Sequence, residues 1–324
     1  MPDIPFISWI GHGAASLAPP GVFTGVKGYS FAIKADTGAM QRLTDALLNA
    51  ASDGSVHYEA MVPFALFTFM DIARCTSGVD RIGWVPGREC GIWVPLVEWH
   101  HHHPWQTRPV FWSPYIFIDY TIGMLTGREV WGWPKVHARI GMDRDAGPAS
   151  SFTCETMMFR EMNPEQQGEH AELYRIVPSG PSGGAEPVWQ RGAEAAEALA
   201  GRLFGGVGEL AGDILGRLHV HPVLPSVALK QFRDAANAEV ACFQAVVDSP
   251  AEITRFGGAG LLPHRYDVEI ATCASHRIVQ DFLGVQPAGA STILPVEWGA
   301  WVDMDFRAQP GRDIVRKSQG DAEA

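Results

Sequence analysis

The chain has little that would brace it covalently or tether it to a membrane. Its 324 residues include only five cysteines, Cys75, Cys90, Cys154, Cys242 and Cys273. The number is odd and no two lie within four residues of each other, so the spacing offers neither a disulfide framework nor the CxxC pair of a zinc site. Free, mostly buried thiols in a reducing compartment are expected. No apolar run approaches the ~18 residues of a membrane helix. The start, MPDIPFISWIGHGAASLAPP, lacks the basic residues and continuous apolar stretch of a signal peptide, and a cytoplasmic location is expected. Positive charge is also in deficit: 25 Lys and Arg against 36 Asp and Glu give a net charge of −11. With acidic residues spread along the chain, nucleic acid and anionic membrane surfaces are poor partners. A small anionic substrate remains open, because a pocket's local field can oppose the net charge.

What is present suits a globular protein. Hydrophobic residues make up 46% and charged residues 19%, and a chain this long can bury a large core unaided. The 35 glycines and 23 prolines favour many turns and a strand-rich fold. Tyr29, Phe31, Ile33 and Ala35 alternate as in a strand, and Met40, Leu43 and Leu47 then follow at helical spacing over residues 38–50. Further strands are expected at 62–73, 90–97, 114–120, 151–159, 220–232, 239–247, 267–273 and 296–306. Alanine-rich helices are expected at 192–204 and 208–218, after a glycine-rich loop at 178–187. Strands come in runs rather than in βα alternation. The expected fold is therefore α+β: a large antiparallel sheet or closed barrel with a few peripheral helices, in one domain spanning 1–324. The interior of such a barrel could hold a small ligand.

The stretch GREVWGWPKVHARI (127–140) carries the chemistry. If it is extended up to the lysine, Glu129, Trp131, Trp133 and Lys135 share one face. Desolvation beside two tryptophans disfavours an ammonium ion and would free the amine as a nucleophile. A surface lysine whose stem covers a tryptophan is the competing reading. Arg128 and Glu129 are expected to pair internally, and Asp119 to cap or pair at a strand end.

GREVWGWPK resembles the signature of the acetoacetate decarboxylase superfamily, in which the lysine after the proline forms a Schiff base. The segments SPYIFIDYTIGMLTGRE (113–129), RECGIWVPLV (88–97), VKGYSFAIKADTGAMQRLTDAL (26–47), SVALKQFRD (226–234) and VEWGAWVDMDF (296–306) are similar to others of that family in order and spacing. The likeness covers about residues 21–306, with insertions expected near 99–112 and 185–216. It implies Lys135 as nucleophile and Glu89 as the acid–base or positioning carboxylate. It places Lys27 where the family carries a carboxylate-binding arginine and Thr68 where it carries a second pocket glutamate. With Trp131 and Trp133, these two would line the substrate site. The family's second lysine is Val136 here. The resemblance further implies no metal, no cofactor and a homo-oligomer.

Three functions follow from that resemblance. The first is decarboxylation of a β-keto acid through a lysine imine and enamine. The second is aldol condensation and dehydration of a pyruvate-like keto acid with an aldehyde, using the same lysine. The third is a non-catalytic barrel that binds a small ligand. The run His100–His103 invites a metal reading, but four consecutive residues cannot converge on one ion, and an exposed loop is expected there.

Overall fold

The structure, a computed structural model, describes residues 5–8, 11, 16–103, 106–142, 151–181, 187–204 and 223–318. In chain order its strands are β1 Gly21–Lys34, β2 Val56–Ala60, β3 Phe64–Ser77, β4 Val85–His100, β5 Arg108–Ile118, β6 Lys135–Gly141, β7 Phe152–Met158 and β8 Glu169–Pro181. They continue with β9 Val188–Trp189, β10 Val223–Leu224, β11 Ser226–Arg233, β12 Ala241–Asp248, β13 Ala251–Leu261, β14 His264–Ala271, β15 Ser291–Ala308 and β16 Arg312–Ser318. The helices are short: α1 Thr37–Thr44, which widens into a π-helical turn over Asp45–Asn49, α2 Thr121–Thr126, α3 Gly192–Phe204 and α4 Ile278–Leu283.

Nine strands close a barrel in the order β5-β6-β7-β8-β14-β15-β1-β3-β4, with β4 returning to β5. Every pairing is antiparallel except β5–β6, whose strands run parallel because the α2 segment crosses between them. Large side chains alternate inward, as the pleat requires: Phe31, Phe67, Phe69, Phe117, Phe152, Tyr174 and Tyr266 meet in one buried cluster. Their rings pack edge-on or tilted at centroid distances of about 5–6 Å, the arrangement that aromatic quadrupoles favour. The barrel interior is thus a filled core. The expectation that it holds the ligand is corrected on that ground.

A second enclosure shares the same wall. The long strand β15 leaves β14 after Pro295, and its distal half runs between β1 and β13. β13 pairs with β10, which is separated by Pro225 from β11, and β11 pairs with β5. The far side of the sheet β15-β1-β3-β4-β5 is therefore also covered, and it is this side that carries the candidate site.

The expected barrel-like α+β architecture is observed. Several boundaries move: β4 begins at Val85, β5 at Arg108, and β8 runs through the start of the expected glycine-rich loop. Only 101–107 connect β4 to β5 within the expected 99–112 insertion. The expected 208–218 helix lies outside the described residues. Among the described residues no helix is long and apolar enough to cross a membrane.

Candidate active site

Lys135 is the first residue of β6 and is only 8% exposed. The chain reaches it through α2, a π-helical turn over Gly127–Trp131, and Gly132. This corrects the extended reading of 127–133: Glu129, Trp131 and Trp133 do not share a strand face with Lys135. Gly132 ends the helical segment at φ +81°, and a β-carbon there would lie 2.5 Å from the backbone of Lys230. Both constraints favour glycine. The backbone N–H of Lys135 then donates to the carbonyl of Trp133 (2.7 Å), closing a tight turn around Pro134.

Pairing registers fix which side of the wall each residue faces. Lys135 lies opposite Ile116, Ile116 opposite Gly91, and Gly91 opposite Thr68. Glu89 lies opposite Ile118 and Met70. Residues paired across strands point the same way, so Lys135, Glu89 and Thr68 share the face turned away from the first barrel. There the ammonium nitrogen of Lys135 donates to Oε2 of Glu89 in a short buried ion pair. Glu89 is itself 8% exposed. Pairing two buried charges offsets a desolvation cost that neither could sustain alone.

The neighbours hold this pair in place. Gly127 lies against the lysine stem, where a β-carbon would come within 2.5 Å of Cδ. The guanidinium of Arg128 donates to the carbonyl of Lys135 (3.1 Å). Arg128 therefore steadies the lysine through its backbone, and the expected Arg128–Glu129 pair does not appear among the described residues. Asp119 accepts from the backbone N–H of Arg88 (2.7 Å), a strand-end role that its position suggested. Trp133 packs with Ile116, Trp131 and Ala228, and its ring meets that of Trp93 at 5.4 Å. The indole of Trp93 donates to the hydroxyl of Thr68 (3.0 Å), so Thr68 is tied into the same apolar wall. Trp131 turns aside. Its indole donates to the carbonyl of Gln309 (2.9 Å), and it lines an apolar cavity of about 20 Å³ with Leu17, Phe23, Cys75 and Thr126. The backbone of Leu17 is pinned to the hydroxyl of Thr126 (2.9 Å), so residues before β1 strap over the segment that carries the lysine.

Lys27 is not part of this assembly. It lies opposite Asp71, which in turn lies opposite Arg88, one residue out of phase with Glu89 and hence on the other face. Its side chain is 45% exposed and pairs with Asp303 at 2.5 Å, which also takes Arg255. Lys27 and Arg255 hold the Asp303 carboxyl below its usual range. The expectation that Lys27 grips a substrate carboxylate is corrected by this strand parity: Gly28, not Lys27, faces the site.

The histidine run lies elsewhere. His101, His102 and His103 are exposed, while His100 turns in to Glu98 at 2.8 Å. Among the described residues no three His, Cys, Asp or Glu side chains converge closely enough to hold a metal ion. The sequence reading did not single out Tyr120 and Cys75, which share a hydrogen bond with each other and feel the charge of Glu89. Single residues of these types carry no periodic signal.

No curated protein matches the chain. Solved structures similar to it share its fold at low identity. Acetoacetate decarboxylase from Legionella pneumophila is 13% identical, with a TM-score of 0.54 over 98% of this chain and 99% of that one. A second acetoacetate decarboxylase is 12% identical, with a TM-score of 0.57 over 96% of each chain. The enduracididine biosynthesis enzyme MppR, bound to the condensation product of pyruvate and imidazole 4-carboxaldehyde, is 13% identical, with a TM-score of 0.50 over 97% of this chain and 98% of that one. The family model described as acetoacetate decarboxylase matches residues 12–188, more than half of the sequence and the strands that carry Thr68, Glu89 and Lys135, and the chain therefore belongs to the acetoacetate decarboxylase family.

Proposed function

We propose that the protein is an enzyme that binds a small keto acid as a Schiff base on Lys135 and cleaves its β-carboxylate as CO₂. The observation that carries this reading is the buried pair of Lys135 and Glu89 beneath the α2 segment. An ammonium ion cannot attack a ketone, but its partner is a base already in contact. A proton passes from Lys135 to Glu89, leaving a neutral amine and a neutral acid. The amine adds to the keto carbon, and Glu89 shuttles the proton from nitrogen to oxygen and then protonates the departing hydroxyl. Water leaves, a protonated imine forms, and the Glu89 carboxylate remains as its counter-ion. The imine withdraws the electron pair released as the C–CO₂ bond breaks, giving an enamine. Protonation at carbon and hydrolysis return the free lysine. The apolar wall of Trp93, Trp133 and Ile116 strengthens each of these charge interactions by excluding water.

A second reading keeps the imine and changes what the enamine does: it attacks an aldehyde, and the adduct loses water. Two observations favour it. Thr68 and Gly28 stand on the site face where a second carboxylate and a cation would suit a β-keto acid, and the fold is similar to that of MppR with its bound condensation product.

Reduction with borohydride in the presence of acetoacetate or pyruvate should label Lys135 covalently, since only an imine yields a stable secondary amine. A label on another residue, or none with either acid, defeats the Schiff-base reading. Measuring CO₂ release from acetoacetate beside condensation of pyruvate with an aromatic aldehyde then separates the two reactions.

A further inference from the structure

The turn that delivers Lys135 to β6 is gripped at two points by one residue of β11, Lys230. Its backbone lies against Gly132, where a β-carbon would come 2.5 Å from the Lys230 Cα and 2.6 Å from its nitrogen. Its ammonium group donates to the carbonyl of Val130 at 3.3 Å. That carbonyl is short of a partner for a reason written in the sequence. A continuing helix would give it the N–H of residue 134, and Pro134 has none. The N–H groups of Gly132 and Trp133 do not replace it, because both return to the carbonyl of Gly127. A cation also suits the negative end of a helical segment. Lys230 is no free surface lysine. It is half-buried, and its nitrogen lies 5.9 and 5.5 Å from the ring centres of Phe232 and Phe243. Among the described residues it forms no salt bridge. Ala228, two residues earlier on the same face of β11, packs with Trp131, Trp133 and Ile116, so this strand backs the wall of the site.

We propose that Lys230 is a positioning residue for the reaction: by holding the Val130 carbonyl it fixes the turn 130–135, and with it the place from which the Lys135 amine meets Glu89 and the keto carbon. The proposal rests on the Schiff-base reading above. β7 joins β6 only from Ala138 onward. At Lys135 the strand is therefore paired on one side, with β5, and the turn decides where the lysine side chain starts. The same turn carries Trp133 of the apolar wall, and it follows directly on Gly127 and Arg128, which touch the lysine's stem and carbonyl. Without the ammonium group, Val130 loses a bond that Pro134 cannot supply, and the left-handed step at Gly132 is free to relax. Lys230 itself touches no substrate; it acts through the backbone.

The test compares Lys230→Met, which keeps an unbranched stem and removes the ammonium group, with Lys230→Arg, which keeps a donor. Borohydride trapping on Lys135 is measured against acetoacetate or pyruvate concentration in each folded protein. In Lys230→Met the maximal rate should fall about 10–10²-fold, the scale of loss when a reacting group is misplaced by about 1 Å. The concentration giving half that rate should not move, because the missing group binds no substrate. Lys230→Arg should recover most of the rate. Equal maximal rates in Lys230→Met and wild type, with Lys135 labelled in both, overturn the role of Lys230 and leave the Schiff-base reading standing. A slow rate that arginine does not restore assigns the effect to packing of the stem and overturns it too. A rise in the half-saturating concentration at an unchanged maximal rate makes Lys230 a substrate ligand instead, and is the third contrary result. If wild type is not labelled at Lys135 by either acid, the Schiff-base reading falls and takes this proposal with it.

Discussion

Strand β4 carries two buried glutamates, and their circumstances are opposite. Among the described residues Glu89 takes its side-chain hydrogen bond from Lys135 alone. Glu98, 1% exposed, is surrounded: Tyr58 donates at 3.2 Å, His100 lies at 2.8 Å, and Arg108 grips both oxygens at 2.8 and 3.2 Å. Arg108 reaches on to Asp248 at 3.1 Å, which also takes Arg312 from β16. A carboxylate satisfied on all sides can release no partner without leaving another group bare, so such a network locks β2, β4, β5, β12 and β16 together. A carboxylate with one partner can exchange a proton, or exchange that partner for an imine, without disturbing anything else. Burial alone therefore does not separate the two glutamates; the number of their partners does.

The largest effect that can break this contrast is kinetic. Glu89→Gln should slow imine trapping on Lys135 by about 10²–10⁴-fold, the usual worth of a positioned acid–base group. Its amide still accepts a hydrogen bond from the lysine, so the fold should persist. A variant that traps keto acid at the wild-type rate would show that Glu89 is structural after all. Glu98→Gln should do the reverse. It strips a charge from Arg108, which keeps Asp248, and should cost about 3 kcal/mol in urea-induced unfolding. Its trapping rate per folded molecule should be unchanged. If the rate collapses as well, the two glutamates are coupled and the comparison fails.

A smaller effect is the pH dependence of that stability. Burial pushes the Glu98 carboxyl up, but the Arg108 guanidinium, followed by His100, outweighs it and leaves the folded value below the usual one. A depressed carboxylate contributes stability that is present above its unfolded pKa of about 4.3–4.5 and is lost as pH falls through the folded value. Wild-type unfolding free energy should therefore drop below about pH 4.5 more steeply than that of Glu98→Gln. Parallel profiles would show that the network holds Glu98 no better than water does.

How much of this was legible in the sequence follows from what each feature depends on. The barrel class could be read because runs of alternating apolar residues survive any detail of pairing. Lys135 and Glu89 could be picked out because their motifs are local. The helical path through Gly127–Trp131 could not, since Glu129, Trp131 and Trp133 alternate as a strand would. There the close approach of Gly127 to Lys135 and of Gly132 to Lys230 decides the conformation. Lys27 failed by a single position, and in a sheet one residue is the difference between the two faces. Which face holds the site depends on β15 leaving β14 for β13, a long-range event with no local signature. Glu98 was passed over for a similar reason: two of its three partners, Tyr58 and Arg108, come from other strands.

The smallest effect concerns the histidine run, which joins the Glu98 network at one end only. His100 points to the Glu98 carboxylate, whereas His101 and His102 are exposed and meet chiefly each other, ring to ring at 5.4 Å. Replacing His100 by alanine removes one hydrogen bond to a buried charge and should cost about 1–2 kcal/mol. Replacing His101 and His102 together should stay within about 0.5 kcal/mol, as for surface substitutions generally. Neither change should alter imine trapping, because the run is carried at the β4 end remote from Glu89, and chelators should leave that rate untouched. The measurement is a pair of denaturant curves with trapping rates in the presence and absence of chelator. Equal costs at His100 and at His101/His102 would mean that His100 is not part of the network. A trapping rate that falls in the double variant and returns with added zinc or manganese would mean that the run serves the reaction, and that the division of β4 into a locked end and a reactive end is wrong.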